Sequence, residues 1–252
     1  MTEYGWLFAT LFLPLFPLAM VFNFVFQRAH NSVLRVALLL LWPMVGLWLL
    51  DNVVKQVPQW VMYWALASVL LYSVRMLVVR EVGIWVGFLA TAGWGLVWLS
   101  YSESSSAATM VLHVMAFSLP LVLLISLVMQ LERFHGSVFA GVVSGVAQNH
   151  PRVAGLIAIS VLAAIGTPLF PAFFSMLIHV AQSMAFLPVV TIGIGVVWLL
   201  WSWSGVRLLQ ELLVGAGEVG AKQDITIAMV ALYAFFLVLI IAAGVYFLGR
   251  ML

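Results

Sequence analysis

The feature that most constrains this chain is a series of apolar runs, each about as long as a bilayer is thick. A hydrocarbon core of about 30 Å is crossed by a helix of about 20 apolar residues. Eight such runs can be drawn, at roughly 5–27, 34–50, 59–79, 83–100, 108–130, 153–181, 185–206 and 225–248. The links are short, so no soluble domain fits between them. Only 7% of the residues are charged and 65% are hydrophobic, whereas a soluble domain carries about 25% charged residues. The sequence therefore predicts an all-α, polytopic membrane protein of about eight transmembrane helices, with residues 1–252 forming a single integral-membrane domain. Its solvent is membrane lipid. The first run follows Glu3 without a basic n-region or a small-residue cleavage site, so it is read as a retained span and not as a signal peptide.

Orientation follows from Lys and Arg, which concentrate on the cytoplasmic side of short loops. With eight spans, Arg28, Arg35, Arg75, Arg80, Arg133, Arg152, Arg207 and Lys222 fall on one side, and Lys55 and Arg250 on the other. This predicts both termini outside, which in a bacterial inner membrane is the periplasmic side. The basic residues are scattered singly, so nucleic acid is not an expected partner. The loop 134–151 is expected to form a short interfacial helix. Residues 207–224 begin as an amphipathic extension with Arg207 and Glu211 at i, i+4, break at Gly215 and Gly217, and end on Asp224 as an N-cap for the last span.

Intramembrane ionisable groups are costly and usually functional, so depth is decisive. Asp51, Arg75, Arg80, Glu81, Glu132, Arg133, Arg152 and Arg207 all fall at span ends, where snorkelling suffices. His30, His135 and His150 fall in loops. His113 lies within a span, and His179 near the outer end of another. His113 has two readings: a proton-relay member, or a hydrogen-bonded packing residue between helices. Pro120 should kink its helix. The run 153–181 contains "IGTPLFPAFFSMLIH", in which Gly166, Pro168 and Pro171 interrupt the backbone ladder. Discontinuous helices build ion sites in transporters, yet Pro kinks are also common structural devices in membranes. Thr167 and Ser175 are positioned to satisfy freed backbone groups, and with His113 and His179 they are the candidate ion-path residues. No catalytic constellation, cofactor motif or metal-ligand cluster is evident, and there is no Cys. "GAGEVGA" is Gly-rich but follows no strand.

From about residue 80 to 250 the chain resembles the second half of the antiporter-type proton-conducting membrane subunits of respiratory complex I, Mrp antiporters and membrane-bound hydrogenases. "VLHVMAFSLPLVLLISLVMQLERFHGS" is similar to that family's "fHlxtHaxfKalLFl" helix. "LIAISVLAAIGTPLFPAFFSML" is similar to its broken helix "lialaslxGiPPlxGFxsE". "VVREVGIWVGFLA" and "GVVWLLWSWSGVRLLQELLVGAG" resemble the helices before and after. The resemblance implies six spans over 59–250 like the family's C-terminal half, preceded by two spans over 5–50.

The departures bear on function. His113 falls at the family's first His. Its second His falls at Phe117, its Lys at Leu121, and its acidic position at Phe173 or Phe174. The break is present and its charges are absent, which implies a dry, aromatic-packed cavity beside Phe170, Phe173 and Phe174. The resemblance thus implies a non-pumping accessory or scaffold subunit of a complex I-like, ion-translocating complex. Its partners would be other integral-membrane subunits, foremost a full-length antiporter-type subunit. An inorganic-carbon uptake complex is one such setting. The alternative is a self-sufficient proton or cation transporter using His113 and the broken helix.

Overall fold

The computed structural model describes residues 5–54, 57–102, 107–186, 188–215 and 224–251, all helices and connections, with two isolated β-bridges. Each of the eight runs appears, as one helix or as a broken pair. The first is α1 (Gly5–Phe12) and α2 (Ala19–Arg28); α3 (Ser32–Asn52) and α4 (Trp60–Met76) follow. The fourth is α5 (Val82–Gly95) continued by α6 (Val97–Ser102), and the fifth is α7 (Ala107–His135). After the short α8 (Val146–Asn149), the sixth is α9 (Pro151–Ala164) and α10 (Pro171–Phe186). The last two are α11 (Pro188–Leu213) and α12 (Ile227–Met251). Five segments are singly long and apolar enough to cross a bilayer, and the chain is an integral membrane protein.

The core is built around α5. Every α5 residue except Ile84 is buried, as expected of a helix apolar on all sides. It packs against α4, α7 and α2. By contrast, only 17% of the most apolar stretch of α12 is buried, so α12 is the peripheral helix.

Two runs are broken, where one break was expected. The first, expected as a continuous span, stops at Phe12 because Pro14 and Pro17 interrupt the ladder. The Phe16–Pro17 bond is cis. Carbonyls freed in lipid need donors, and indoles supply them. Trp42 Nε1 donates to Leu11 O (3.1 Å), Trp98 Nε1 to Leu13 O (2.9 Å) and Trp64 Nε1 to Phe16 O (2.7 Å). Ser68 Oγ accepts from the Phe16 N–H. At the second break Trp198 Nε1 donates to Gly166 O (3.1 Å), and Thr167 Oγ1 to Leu162 O (3.0 Å). Gly166 takes φ +73°, where its missing Cβ is required, and Leu169 takes φ 83°. Pro171 is not a second interruption: it opens α10 at the position where a missing N–H costs nothing. Pro120 does not end α7, nor Pro43 α3.

The loop after α7 is not the interfacial helix expected. Val82 N–H donates to Val138 O and Ala140 N–H to Arg80 O, an antiparallel clip at the start of α5; only α8 is helical there. Asp224 caps a different helix from the one expected. Its Oδ2 accepts from the Arg152 N–H (2.8 Å) at the start of α9, while Thr226 Oγ1 accepts from the Met229 N–H of α12. The Arg207–Glu211 pair forms as expected, at 3.3 Å. Lys55, Lys222, the loop residues 103–106 and most of "GAGEVGA" lie outside the described residues.

Arg35 is buried and donates to both carboxylate oxygens of Glu132 (3.0 and 3.1 Å) and, through Nε, to Ala29 O. Arg207 donates to Val79 O, and the Gly141 N–H to Glu211 O. Burial pushes the Glu81 carboxyl above the usual carboxylate range; nearby Arg35 opposes this and Glu132 adds to it.

Candidate functional site: a histidine pair beside the broken helix

The break at 165–170 restarts the helix at Pro171, which places Ser175 and His179 on one face at i, i+4. Both point into the bundle: Ser175 is 4% exposed, His179 3% and, facing them from α7, His113 3%. His179, expected near a span end, is therefore buried two turns into α10, because the interruption resets where that helix begins.

His113 is not isolated. Its Nε2 lies 2.9 Å from Gly93 O of α5. A carbonyl only accepts, so Nε2 carries a hydrogen. In the neutral ring Nδ1 is then an acceptor, and two groups address it: Ser175 Oγ in a close hydrogen bond, and His179 Nε2 at 2.9 Å. The two rings meet edge-to-face with centroids 4.4 Å apart. His179 Nε2 therefore donates, so one hydrogen already lies between the two rings, and moving it to His113 Nδ1 requires a second proton to be taken up at His179 Nδ1. The arrangement can thus hold and exchange a proton within the pair. Thr167 is not part of it, being bonded to Leu162 O at the break. Ser175 serves the histidine instead of the backbone expected for it.

What surrounds the pair is apolar. Phe117, one turn beyond His113, packs tilted against that ring and edge-to-face against Trp201, with centroids at 5.0 and 5.4 Å. Gly93 gives it room: a Cβ there would lie 3.0 Å from the Phe117 ring. Phe117 and Leu121 are both fully buried. Phe173 packs on Phe174 and Trp198. Among the described residues, no group of three or more His, Asp or Glu side chains is placed to hold a metal ion.

A second polar cluster converges on α5 from the other side. Asn23, an amide inside the apolar run of α2, donates to Thr91 Oγ1 (3.0 Å) and Ala19 O (2.9 Å). Gly87 clears its path, since a Cβ there would stand 2.8 Å from Asn23 Oδ1. Thr91 is two residues from Gly93, whose carbonyl holds His113. The one available sequence signal was an Asn in "MVFNFVF".

No protein-family model matches this sequence, and no curated protein sequence matches it. Solved structures do. A chain of the membrane-bound sulfane sulfur reductase, an archaeal respiratory membrane complex, superposes with a TM-score of 0.81 at 18% identity, covering 94% of this chain and 51% of that one. A chain of respiratory complex I from Thermus thermophilus gives 0.82 at 20%, covering 96% and 54%. A chain of the Mrp complex from Dietzia sp. gives 0.81 at 13%, covering 98% and 56%. The chain spans about half the length of the solved chains it matches. Over that half it has the fold found in complex I, Mrp and sulfane sulfur reductase complexes, the fold expected from its resemblance to antiporter-type membrane subunits.

Proposed function

We propose that this chain is a non-pumping accessory subunit of a complex I-like, ion-translocating membrane complex. In this role it is a wall or docking surface beside a full-length antiporter-type subunit, whose C-terminal half its residues 59–250 resemble. Its place is the bacterial inner membrane with both termini outside, and inorganic-carbon uptake is one setting for such a complex. A single observation carries the proposal. Where the resemblance puts a second His and a Lys, Phe117 and Leu121 are fully buried against aromatic and aliphatic side chains. Among the described residues, carboxylates and guanidiniums lie near helix ends, so nothing charged stands mid-bundle to drive a proton onward.

The contact between His179 Nε2 and His113 Nδ1 favours a second role, a self-sufficient proton path. The two separate in proteoliposomes made from the purified chain and loaded with a pH-sensitive dye. The accessory role predicts proton flux no faster than in protein-free vesicles, and His113→Gln leaving assembly with partners intact. Flux in the native chain that is abolished in both His113→Gln and His179→Gln would establish the second role and reject the first.

A further inference from the structure

We propose that the cleft between α3, α7 and α12 is a binding site for one acyl chain of an anionic phospholipid from the basic-side leaflet. The cleft has a volume of about 570 Å³ and is lined by Val36 of α3, Leu119, Leu123 and Ser126 of α7, and Tyr233 and Ile240 of α12, among others. That is within the range of about 300–1,000 Å³ typical of small-molecule sites. It exists because α12 packs mainly on α10 and only lightly on α7, while α3 packs extensively on α7. The outer two helices therefore stand apart over the third.

Its length points to a lipid. The α12 lining runs from Leu232 to Ala243, a rise of about 16 Å at about 1.5 Å per residue. The lining is shorter on the other two helices, about 10 Å over Leu119–Ser126 of α7 and about 6 Å over Val36–Leu40 of α3, so the cleft falls well short of the roughly 30 Å of the whole hydrocarbon core. A partner helix would need a groove running the whole bilayer. The polarity is graded in the direction a phospholipid requires. Ser126 and Tyr233 are the lining residues with polar side-chain atoms, and both lie toward the basic end, whereas Leu119 and Ala243 close the deep end. Following the α7 face outward, Leu119, Val122 and Ser126 lead to Gln130 and Arg133. Arg133 is exposed, with NH1 3.4 Å from Gln130 Oε1. A guanidinium about 10 Å beyond the apolar lining is placed for a phosphate, which it can bind bidentately.

The test uses the full chain, with its partners if they copurify, in vesicles containing phosphatidylglycerol that carries a diazirine in its acyl chain. After illumination, adducts are mapped by mass spectrometry. The expected adducts concentrate on Leu123, Phe236 and Ile240 and fall sharply in Ala243→Trp, which fills the cleft. Arg133→Ala should lower them about fivefold, the factor for about 1 kcal/mol per basic residue at an anionic surface. It should leave adducts from the matching phosphatidylcholine probe unchanged. Because Arg133 is exposed, that variant keeps the test valid should Ala243→Trp not fold. Adducts spread equally over Ile192 and Leu199 of the exposed α11 face would overturn the proposal. So would adducts that fall on a copurified subunit while the cleft residues stay unlabelled, which would make the occupant a partner helix.

Discussion

Glu132→Ala is expected to lower the stability of the folded chain by about 3 kcal/mol, the lower end of the ~3–5 kcal/mol cost of stranding a buried charge. The reason is asymmetry. Arg35 keeps only 8% of its side chain exposed, while Glu132 keeps 22%, so removing the acid strands the base. Ala29 O still accepts from Nε, but a neutral acceptor does not offset a desolvated charge. Glu81 is the other carboxylate near Arg35 and holds the loss to the lower end of the range. Thermal unfolding in detergent should show Glu132→Ala well below the native chain. Glu132→Gln should fall between them, because its amide oxygen can still accept from Arg35. Arg35→Met combined with Glu132→Met should recover most of the loss, since replacing both partners strands nothing. A double variant no better than Glu132→Ala would mean the pair acts through packing and not charge.

The second large effect is expected at Gly244. An interior helical Gly is about 1 kcal/mol less favourable than Ala, so propensity alone predicts that Gly244→Ala stabilises. The contact predicts the reverse. A Cβ at Gly244 would run into Leu169 O, with Leu169 C at 3.1 Å and Phe170 C at 3.2 Å. Those are backbone atoms of the second break, and they cannot give way easily. Thr167 ties the segment to Leu162 O through its N–H and its hydroxyl, and Trp198 holds Gly166 O. Overpacking typically costs about 1–3 kcal/mol, which exceeds the propensity gain. Gly244→Ala should therefore destabilise, and Gly244→Leu should push α12 off α10 and lose about 3 kcal/mol or more. Gly195 is the control: nothing lies within 4 Å of a Cβ there, and Gly195→Ala should be neutral or stabilising. Equal behaviour of the two alanine variants in unfolding by sodium dodecyl sulfate would refute the close approach of α12 to the break.

The same contacts show where the sequence was legible. Apolar run length decides whether a helix can cross a bilayer, and the eight runs are found. "IGTP" marks the second break because Gly and Pro fail locally, whatever surrounds them. "LPLFPL" carries the same local signal at the first break, but it sits in an unbroken apolar run that reads as one span. Whether prolines kink or split a helix depends on who satisfies the freed carbonyls. Here those donors are Trp42, Trp64 and Trp98, brought in from three other helices. Indoles in a membrane chain are expected as bulk packing and interfacial anchors, yet at least seven of the 11 donate inside the bundle. The histidine pair was illegible for a related reason. His113 and His179 are 66 residues apart, and periodicity fixes the face a residue occupies without fixing which helix comes to meet it. Asp224 reads locally as a cap for the helix that follows it, and only the fold brings the start of α9 within its reach.

The non-pumping role requires the middle of this bundle to be dry. The chain has no Cys, so a single introduced thiol can be read without background. Leu121→Cys is the most direct probe: it is fully buried, it stands where the resemblance puts a Lys, and the smaller side chain clashes with nothing, leaving only a small apolar cavity, which stays dry without polar partners for water. Val142→Cys, in the loop after α7 and 79% exposed, calibrates full access. A membrane-impermeant thiol reagent is applied to the assembled protein in membranes opened to both sides. Rapid modification is expected at position 142 and none at 121 over the same period. Modification at 121 at a rate approaching that at 142 would place water beside His113 and Phe117, and the non-pumping role would be contradicted.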